Sequence, residues 1–386
     1  MSLEDYENII HRCFRCGYCK FTSDCSYLGF NCPVYNKYRL ETYSPGGMMW
    51  LIRAWMEKDI DWSDSLAKIL YSCTTCNNCV EHCKFKFNDD IVNIIVAARQ
   101  EMVENGLVLS KVRRFLENVE AYSNPYRELR QDRGKWAEET KISQYEGQEF
   151  LYYVGCVGAY DPRGQEIAKT LGEVLLATGL SFGILGSKEE CDGNEVNMLG
   201  EKRVFEMLVE KNIKIFSDAG VKKIVTLSPH SYNAFKNYYP DKFEVFHYTQ
   251  ILCQLIKEGR LNISKELKAK ATYHDSCFLG RHNNEYEAPR ELLKAIPGIE
   301  LVEMERNREN AFCCGGGSGN FYTDFFGGGE YSPARIRVRE AYETGANILA
   351  VACPICMTML SDAVKAEELE EKLIIKDVSE IVKEAL

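Results

Sequence analysis

The chain has 386 residues, 45% hydrophobic and 27% charged, with a formal net charge of −10 from 47 basic and 57 acidic residues. That balance argues against a nucleic-acid partner, and the length excludes a disulfide-stapled miniprotein. The abnormal quantity is 17 cysteines; eight of them fall in two clusters built on short steps, which is metal-ligand spacing, unlike a disulfide framework.

The opening residues, MSLEDYENIIHRC, carry acids early and lack the basic start and apolar core of a signal peptide. The charge-free run from Thr344 to Ser361 is broken by Gly, Asn, Pro and two Cys, so no integral membrane segment is expected. These features predict a cytoplasmic protein whose thiols are reduced or bound to metal. Residues 1–120 read as short helices between cysteine-rich loops. Leu51, Ala54 and Trp55, then Leu66, Ile69 and Leu70, recur at helical steps, with a turn signal at Ser44–Gly47 before them. A further helix is predicted over Ile91–Asn105. Residues 121–148 form a linker, polar from Gln131 to Gly147 and expected to be an exposed connector.

From Phe150 the pattern changes. Short unbroken apolar runs at Phe150–Val154, Ile224–Leu227 and Ile348–Ala352 suit strands covered on both faces. Helical stretches lie between them at Gln165–Thr178, Glu201–Ala219 and Pro333–Thr344, and such alternation predicts parallel sheets. The segment also repeats. Tyr153–Cys156 answers to His274–Cys277, Cys191–Gly193 to Cys313–Gly315, and Ser228–Ser231 to Cys353–Cys356, in nearly constant register. The predicted fold class is α+β multidomain: a helical cysteine-rich domain over 1–120, then a duplicated α/β parallel-sheet domain with copies at 149–262 and 268–386. Two copies imply two lobes and a central cleft.

Cys13, Cys16 and Cys19 stand at two-residue gaps, with Cys32-Pro33 following after an insertion. Cys73, Cys76, Cys79 and Cys83 repeat the pattern without the insertion. This is the bacterial ferredoxin ligand spacing, in which the fourth cysteine of each run serves the other cluster. One 4Fe–4S cubane is therefore assigned to Cys13, Cys16, Cys19 and Cys83, and a second to Cys73, Cys76, Cys79 and Cys32. Zinc would use paired cysteines and leave the third surplus. Cys25 competes with Cys32, but the motif's Cys-Pro ending favours Cys32.

The second copy supplies Cys277, the vicinal Cys313-Cys314 followed by three glycines, and Cys353 with Cys356. This set resembles the cysteine-rich CCG domain of heterodisulfide reductases and related iron–sulfur oxidoreductases. The whole chain resembles the fused D-subunit form, with a two-cluster ferredoxin domain and two CCG domains. His274–His282 and Ala288–Arg290 also look like family sequence. The iron–sulfur subunit of tungsten-type benzoyl-CoA reductase complexes belongs to the same branch. The resemblance implies a 4Fe–4S cluster, noncubane in the family, on Cys277, Cys313, Cys314, Cys353 and Cys356.

The first copy keeps Cys156 and Cys191, but Asp192 replaces the second vicinal cysteine and Ser228 and Ser231 replace the closing pair. Two thiolates cannot hold that cluster. One reading is a vestigial site kept for packing; the other is a zinc site from Cys156, Cys191, His230 and Asp192. Arg281, His282 and Arg335 fall in or near cluster loops and are read equally as partners of the site or as solvated surface. Gly327–Gly329 is read as a flexible turn, since no P-loop Lys-Ser/Thr follows. Cys253, in an apolar helix, is read as core.

No catalytic residue is assigned. No dinucleotide fingerprint is present, so hydride chemistry falls to a partner. The expected function is electron transfer within an anaerobic multi-subunit oxidoreductase, between a flavoprotein and a catalytic subunit such as benzoyl-CoA reductase. The alternatives are a disulfide reductase acting at the CCG cluster, and the iron–sulfur subunit of a glycolate, lactate or glycerol-3-phosphate dehydrogenase.

Overall fold

In the N-terminal region the helices are set by short polar caps and apolar faces. Ser44 caps helix Pro45–Met56 by accepting from the Gly47 N–H at 2.9 Å, and Ser63 caps Asp64–Tyr71 from Leu66 at 3.2 Å. The expected turn at Ser44–Gly47 is therefore the first turn of the helix, with Pro45 at the position where its missing N–H costs nothing. Gly47 is required for packing, because a Cβ there would stand 1.9 Å from the Glu41 carbonyl oxygen. Helix Ile91–Glu104 buries Ile94, Ile95, Ala98 and Met102 on one face against Ile52, Leu66 and Leu70. The computed structural model describes residues 2–22, 29–85 and 90–386; Cys25 lies outside the described residues.

Strands β1 (Phe150–Tyr153), β2 (Phe182–Gly183), β3 (Lys223–Thr226) and β4 (Glu244–His247) form a parallel sheet in the order β2-β1-β3-β4. Strands β5 (Ala269–Tyr273), β6 (Ile299–Leu301), β7 (Ile348–Val351) and β8 (Ile374–Asp377) form a second, in the order β6-β5-β7-β8. The identical order reproduces the sequence repeat as a repeated topology. In each sheet the strand order reverses between the first and third strands, and the loops leaving their carboxyl ends border a crevice. The loops carrying Cys156 and Ser228 occupy that position in one lobe, and those carrying Cys277 and Cys353 in the other.

The lobes share one apolar core, in which Ile167, Leu171 and Leu175 of the first pack with Ile381 and Val382 of the second. Polar links join the lobes as well. Arg163 makes a bidentate pair with Glu380 (both 2.6 Å), and the Tyr248 hydroxyl donates to Asp377 at 2.7 Å. The polar connector is only partly exposed: Arg133 and Trp136 are buried in the short 3-10 segment Arg130–Ala137. Trp136 packs edge-on to Tyr152 of β1, and Arg133 is drawn in by Glu189, so charge density along the chain misreports exposure here. Among the described residues, no helix is long and apolar enough to cross a membrane.

Candidate iron–sulfur centres

Cys13, Cys16, Cys19 and Cys83 line one small cavity of about 20 Å³ at the surface of the helical domain, roofed by Phe14 and Phe85. Cys16 is exposed, Cys13 and Cys83 are half-buried, and Cys19 is buried. Gly17, at φ +87°, turns the loop between Cys16 and Cys19 back on itself. The second set lies deeper. Cys32, Cys76 and Cys79 are buried, and Cys73 is partly so. Burial raises the Cys32 thiol first, with repulsion from Cys76 and Cys73 adding to it. Cys79 is raised by burial and by Cys73, Cys19, Cys76 and Cys32. Four such thiols crowded together without a disulfide suit cationic iron, which removes their mutual repulsion.

In the second lobe the five cysteines converge from three loops, all buried. Cys314 Sγ lies 3.5 Å from Cys356 Sγ, and the Cys313 thiol contacts those of Cys277 and Cys314. Backbone N–H groups already point at sulfur: Gly315 donates to Cys313 at 3.3 Å and Cys356 to Cys353 at 3.5 Å. The glycines after the vicinal pair have distinct causes. Gly315 adopts φ +90°, while a Cβ on Gly317 would come within 2.7 Å of the Thr74 carbonyl oxygen of the helical domain. That close approach brings Cys76 and Cys313 into thiol contact, and the Cys313 thiol within 3.8 Å of Thr74 Oγ1. The donor set, buried thiols with sulfur-directed amides, fits an iron–sulfur cluster.

Several residues that hold this arrangement are invisible in the motif spacing. Arg99 is buried and donates to the carbonyls of Leu70 (2.6 Å), Cys73 (2.6 Å) and Met198 (2.6 Å) and to Ser318 Oγ (2.5 Å). One side chain thus ties the helical domain to both lobes. Arg281 is buried rather than solvated, donating to the Cys76 carbonyl at 2.6 Å and that of Ala311 at 2.6 Å. His282 Nε2 donates to the Thr75 carbonyl at 2.7 Å. Arg335 instead pairs with Glu367 at 2.6 Å. His274 places a ring nitrogen, with the sulfurs of Cys314 and Cys356, in a group whose atoms all lie within 4.8 Å of one another. Burial lowers its pKa to about 3, with Arg337 adding to the effect, and Arg337 Nε donates to its Nδ1 at 3.1 Å. Only its place beside family-like sequence marked it.

In the first lobe, Cys156, Cys191, Asp192 and His230 line a common cavity of about 30 Å³, together with Glu195, Ser228 and Ser231. Their polar atoms are already engaged. Asp192 accepts from Ser231 Oγ (2.8 Å) and the Asn194 N–H (2.8 Å). His230 Nδ1 donates to Glu195 at 2.6 Å, and the ring also hydrogen-bonds Cys353 of the other lobe. Burial works against the imidazolium, but the Glu195 carboxylate outweighs it and holds the pKa well above the ordinary value. Ser228 caps its helix from His230 N–H at 3.2 Å, the same capping position Cys353 takes in the other copy. Cys156 shares this cavity with Cys191 and lies 3.5 Å from Arg133 Nη1. Among the described residues, these four do not form a group with ligand atoms as close as those of His274, Cys314 and Cys356. Cys253 donates to the Ala288 carbonyl at 3.1 Å inside the core, and Gly327–Gly329 stand open, with no atom near their would-be Cβ positions.

Fold and site together define a two-lobed iron–sulfur protein with a dicluster domain. The cysteine-rich CCG domain family matches residues 150–236 and again 271–361, and the 4Fe-4S dicluster domain family matches 9–87. The D-subunit of the dihydromethanophenazine:CoB–CoM heterodisulfide reductase of Methanosarcina barkeri is 33% identical over 330 residues, 82% of this chain and 78% of that protein. The chain belongs to this family of heterodisulfide reductase D-subunit-like iron–sulfur oxidoreductases. The probable iron-sulfur-binding oxidoreductase FadF of Bacillus subtilis is 40% identical over 82% of this chain and 46% of its own length. The EtfAB:quinone oxidoreductase of Syntrophomonas wolfei is 35% identical over 86% and 48%. The chain therefore spans about half the length of those two relatives. A crystal structure of a hypothetical protein from Helicobacter pylori shares the fold, at TM-score 0.54 and 10% identity over 89% of this chain and 67% of that one.

Proposed function

We propose that this chain is the electron relay of a multi-subunit anaerobic oxidoreductase in the cytoplasm, working between a flavoprotein and a catalytic subunit. The observation that carries the reading is the line of cysteines from surface to interior. It runs from exposed Cys16, through Cys19 beside Cys79, to the contact of Cys76 with Cys313 and on to Cys314 and Cys356. Bound there, the clusters supply one-electron carriers. Cys13, Cys16, Cys19 and Cys83 hold the first, Cys73, Cys76, Cys79 and Cys32 the second, and the five second-lobe cysteines the third. Arg99, Arg281 and His282 keep the cluster loops at fixed spacing. The exposed edge at Phe14, Cys16 and Tyr18, rimmed by exposed Arg12, Arg15 and Lys84, is the docking face for the flavoprotein.

The relatives' names attach this architecture to an EtfAB–quinone couple and to a heterodisulfide; none of the relatives above is named a benzoyl-CoA reductase. Disulfide reduction is the second reading, favoured by the D-subunit relatives. It is weakened by the single complete five-cysteine set, since only one sulfur-capturing cluster can be built. Zinc in the first lobe is the less supported occupant, because Asp192 and His230 are held by other partners.

Metal analysis of anaerobically purified chain tests the relay: about twelve irons per chain are expected, four for each of three clusters. About sixteen irons would mean a fourth cluster on a ligand set the first lobe lacks. Turnover of a thiol-derived disulfide by the isolated chain with an artificial donor would replace the relay with the second reading.

A further inference from the structure

Cys156 and Cys191 arrive from different loops of the first lobe, are both buried, and line the same small cavity of about 30 Å³. We propose that they form a reversible dithiol–disulfide couple, a two-electron redox centre occupying the place where a complete copy would hold iron. This goes beyond the relay reading, because it adds a carrier of different chemistry and electron number.

The surroundings are built for one sulfur to differ from the other. Arg133 Nη1 stands 3.5 Å from Cys156 Sγ, and its guanidinium is oriented by Glu189 (2.9 and 3.1 Å) and the Glu190 carbonyl (3.1 Å). Burying a guanidinium and a carboxylate together costs several kcal/mol per ion before their attraction repays it. Packing between lobes does not need such a pair, whereas a cation fixed on one of two thiols that share a cavity favours the thiolate form of that one. Among the described residues, no Lys, Arg or His side chain hydrogen-bonds the Cys191 sulfur. Its loop is clamped instead: Asn212 Nδ2 donates to the Cys191 carbonyl at 2.9 Å, and Tyr239 donates to that of Asp192 at 3.0 Å. Gly193, at φ +82°, makes the turn that directs the loop inward.

The couple also has a neighbour to exchange with. The cavity that the thiols line is also lined by His230 and Ile355, and His230 contacts Cys353 of the five-cysteine set. Oxidation breaks the S–H bonds of Cys156 and Cys191 and forms one S–S bond. It releases two protons to solvent and two electrons, accepted one each by two of the chain's oxidised iron–sulfur clusters. Reduction reverses each step.

The test uses the full chain with its clusters, equilibrated anaerobically in dithiothreitol buffers of graded redox ratio, then acid-quenched, alkylated with N-ethylmaleimide and mapped by mass spectrometry. A Cys156–Cys191 cross-linked peptide pair is expected, rising with oxidation along a two-electron curve and disappearing on reduction. C191S is expected to abolish it with iron content unchanged. Separate alkylation of both cysteines at every ratio would overturn the proposal. So would one equivalent of zinc per chain that is lost in C156S. The wild-type map stands alone if a variant fails to fold, and it reads the couple whether or not the chain relays electrons to a flavoprotein.

Discussion

His230 of the first lobe hydrogen-bonds Cys353 of the second while its Nδ1 donates to Glu195 at 2.6 Å. The incomplete copy thus contributes a cationic ring to the complete one. Glu195 also accepts from the Gly319 N–H of the second lobe and from Asn194 Nδ2 at 2.8 Å, so its orientation depends on both copies. Phe278 packs against the ring at a centroid distance of 4.4 Å and excludes water from one side.

Hydrogen bonds to ligand sulfur stabilise the more negative, reduced cluster and raise its potential. His230→Leu is therefore expected to lower the midpoint potential of the CCG cluster. The shift should be roughly 60–130 mV, the one-electron equivalent of a charge-assisted hydrogen bond of about 1.5–3 kcal/mol. An electron paramagnetic resonance redox titration reads it. An unchanged potential would leave His230 a structural residue only.

Arg99→Met removes the donor shared by Leu70, Cys73, Met198 and Ser318. It leaves buried carbonyls unpaired at about 1–3 kcal/mol each, so a loss of at least about 3 kcal/mol is expected. Urea unfolding of the cluster-loaded protein measures the loss, and Arg99→Lys should restore only part of it, since an ammonium cannot reproduce the planar fork. Equal stability of wild type and Arg99→Met would show that the domains are held together elsewhere.

Gly317→Ala places a Cβ within 2.7 Å of the Thr74 carbonyl oxygen, which is backbone and cannot swing aside. A cost of about 1–3 kcal/mol is expected, with weaker magnetic coupling between the second ferredoxin-type cluster and its CCG neighbour. Gly328→Ala, where nothing lies within 4 Å, is the matched control and should be neutral. Identical melting curves for the two variants would remove this contact from the account.

Asp377 receives the Tyr248 hydroxyl across the lobes, and burial pushes its carboxyl up to about 7 despite hydrogen bonds from Ser379 and Tyr248. The folded pKa exceeds the unfolded value of about 3.9, so folding takes up a proton between them. The contribution is fully present below the unfolded pKa and is lost as pH rises through about 7. Wild type should therefore lose on the order of 2–4 kcal/mol more than Asp377→Asn between pH 5 and 8.5. Parallel stability–pH curves for the two would sink the assignment.

The strands at 150–153, 223–226 and 348–351 were legible because buried parallel strands are short unbroken apolar runs. Helix Ile91–Glu104 was legible from its periodicity. Arg133 and Trp136 were not, since a polar stretch reads as exposed until Glu189, far along the chain, supplies the partner that draws the arginine inward. Arg281 was left open between site and surface for a related reason: its acceptors are carbonyls, which every residue possesses and no sequence advertises.

The sequence by itself determined the cysteine inventory, the family, the duplication and its loss of thiols in one copy. Local spacing and side-chain identity suffice for these, because three cysteines at two-residue gaps meet within one loop. Tertiary structure alone decided that Cys76 touches Cys313, that Arg99 joins helical domain and lobes, and that His230 serves the opposite copy's cysteine. Those contacts join residues remote in sequence through a shared core and backbone carbonyls, and neither leaves a periodic or spaced signature along the chain.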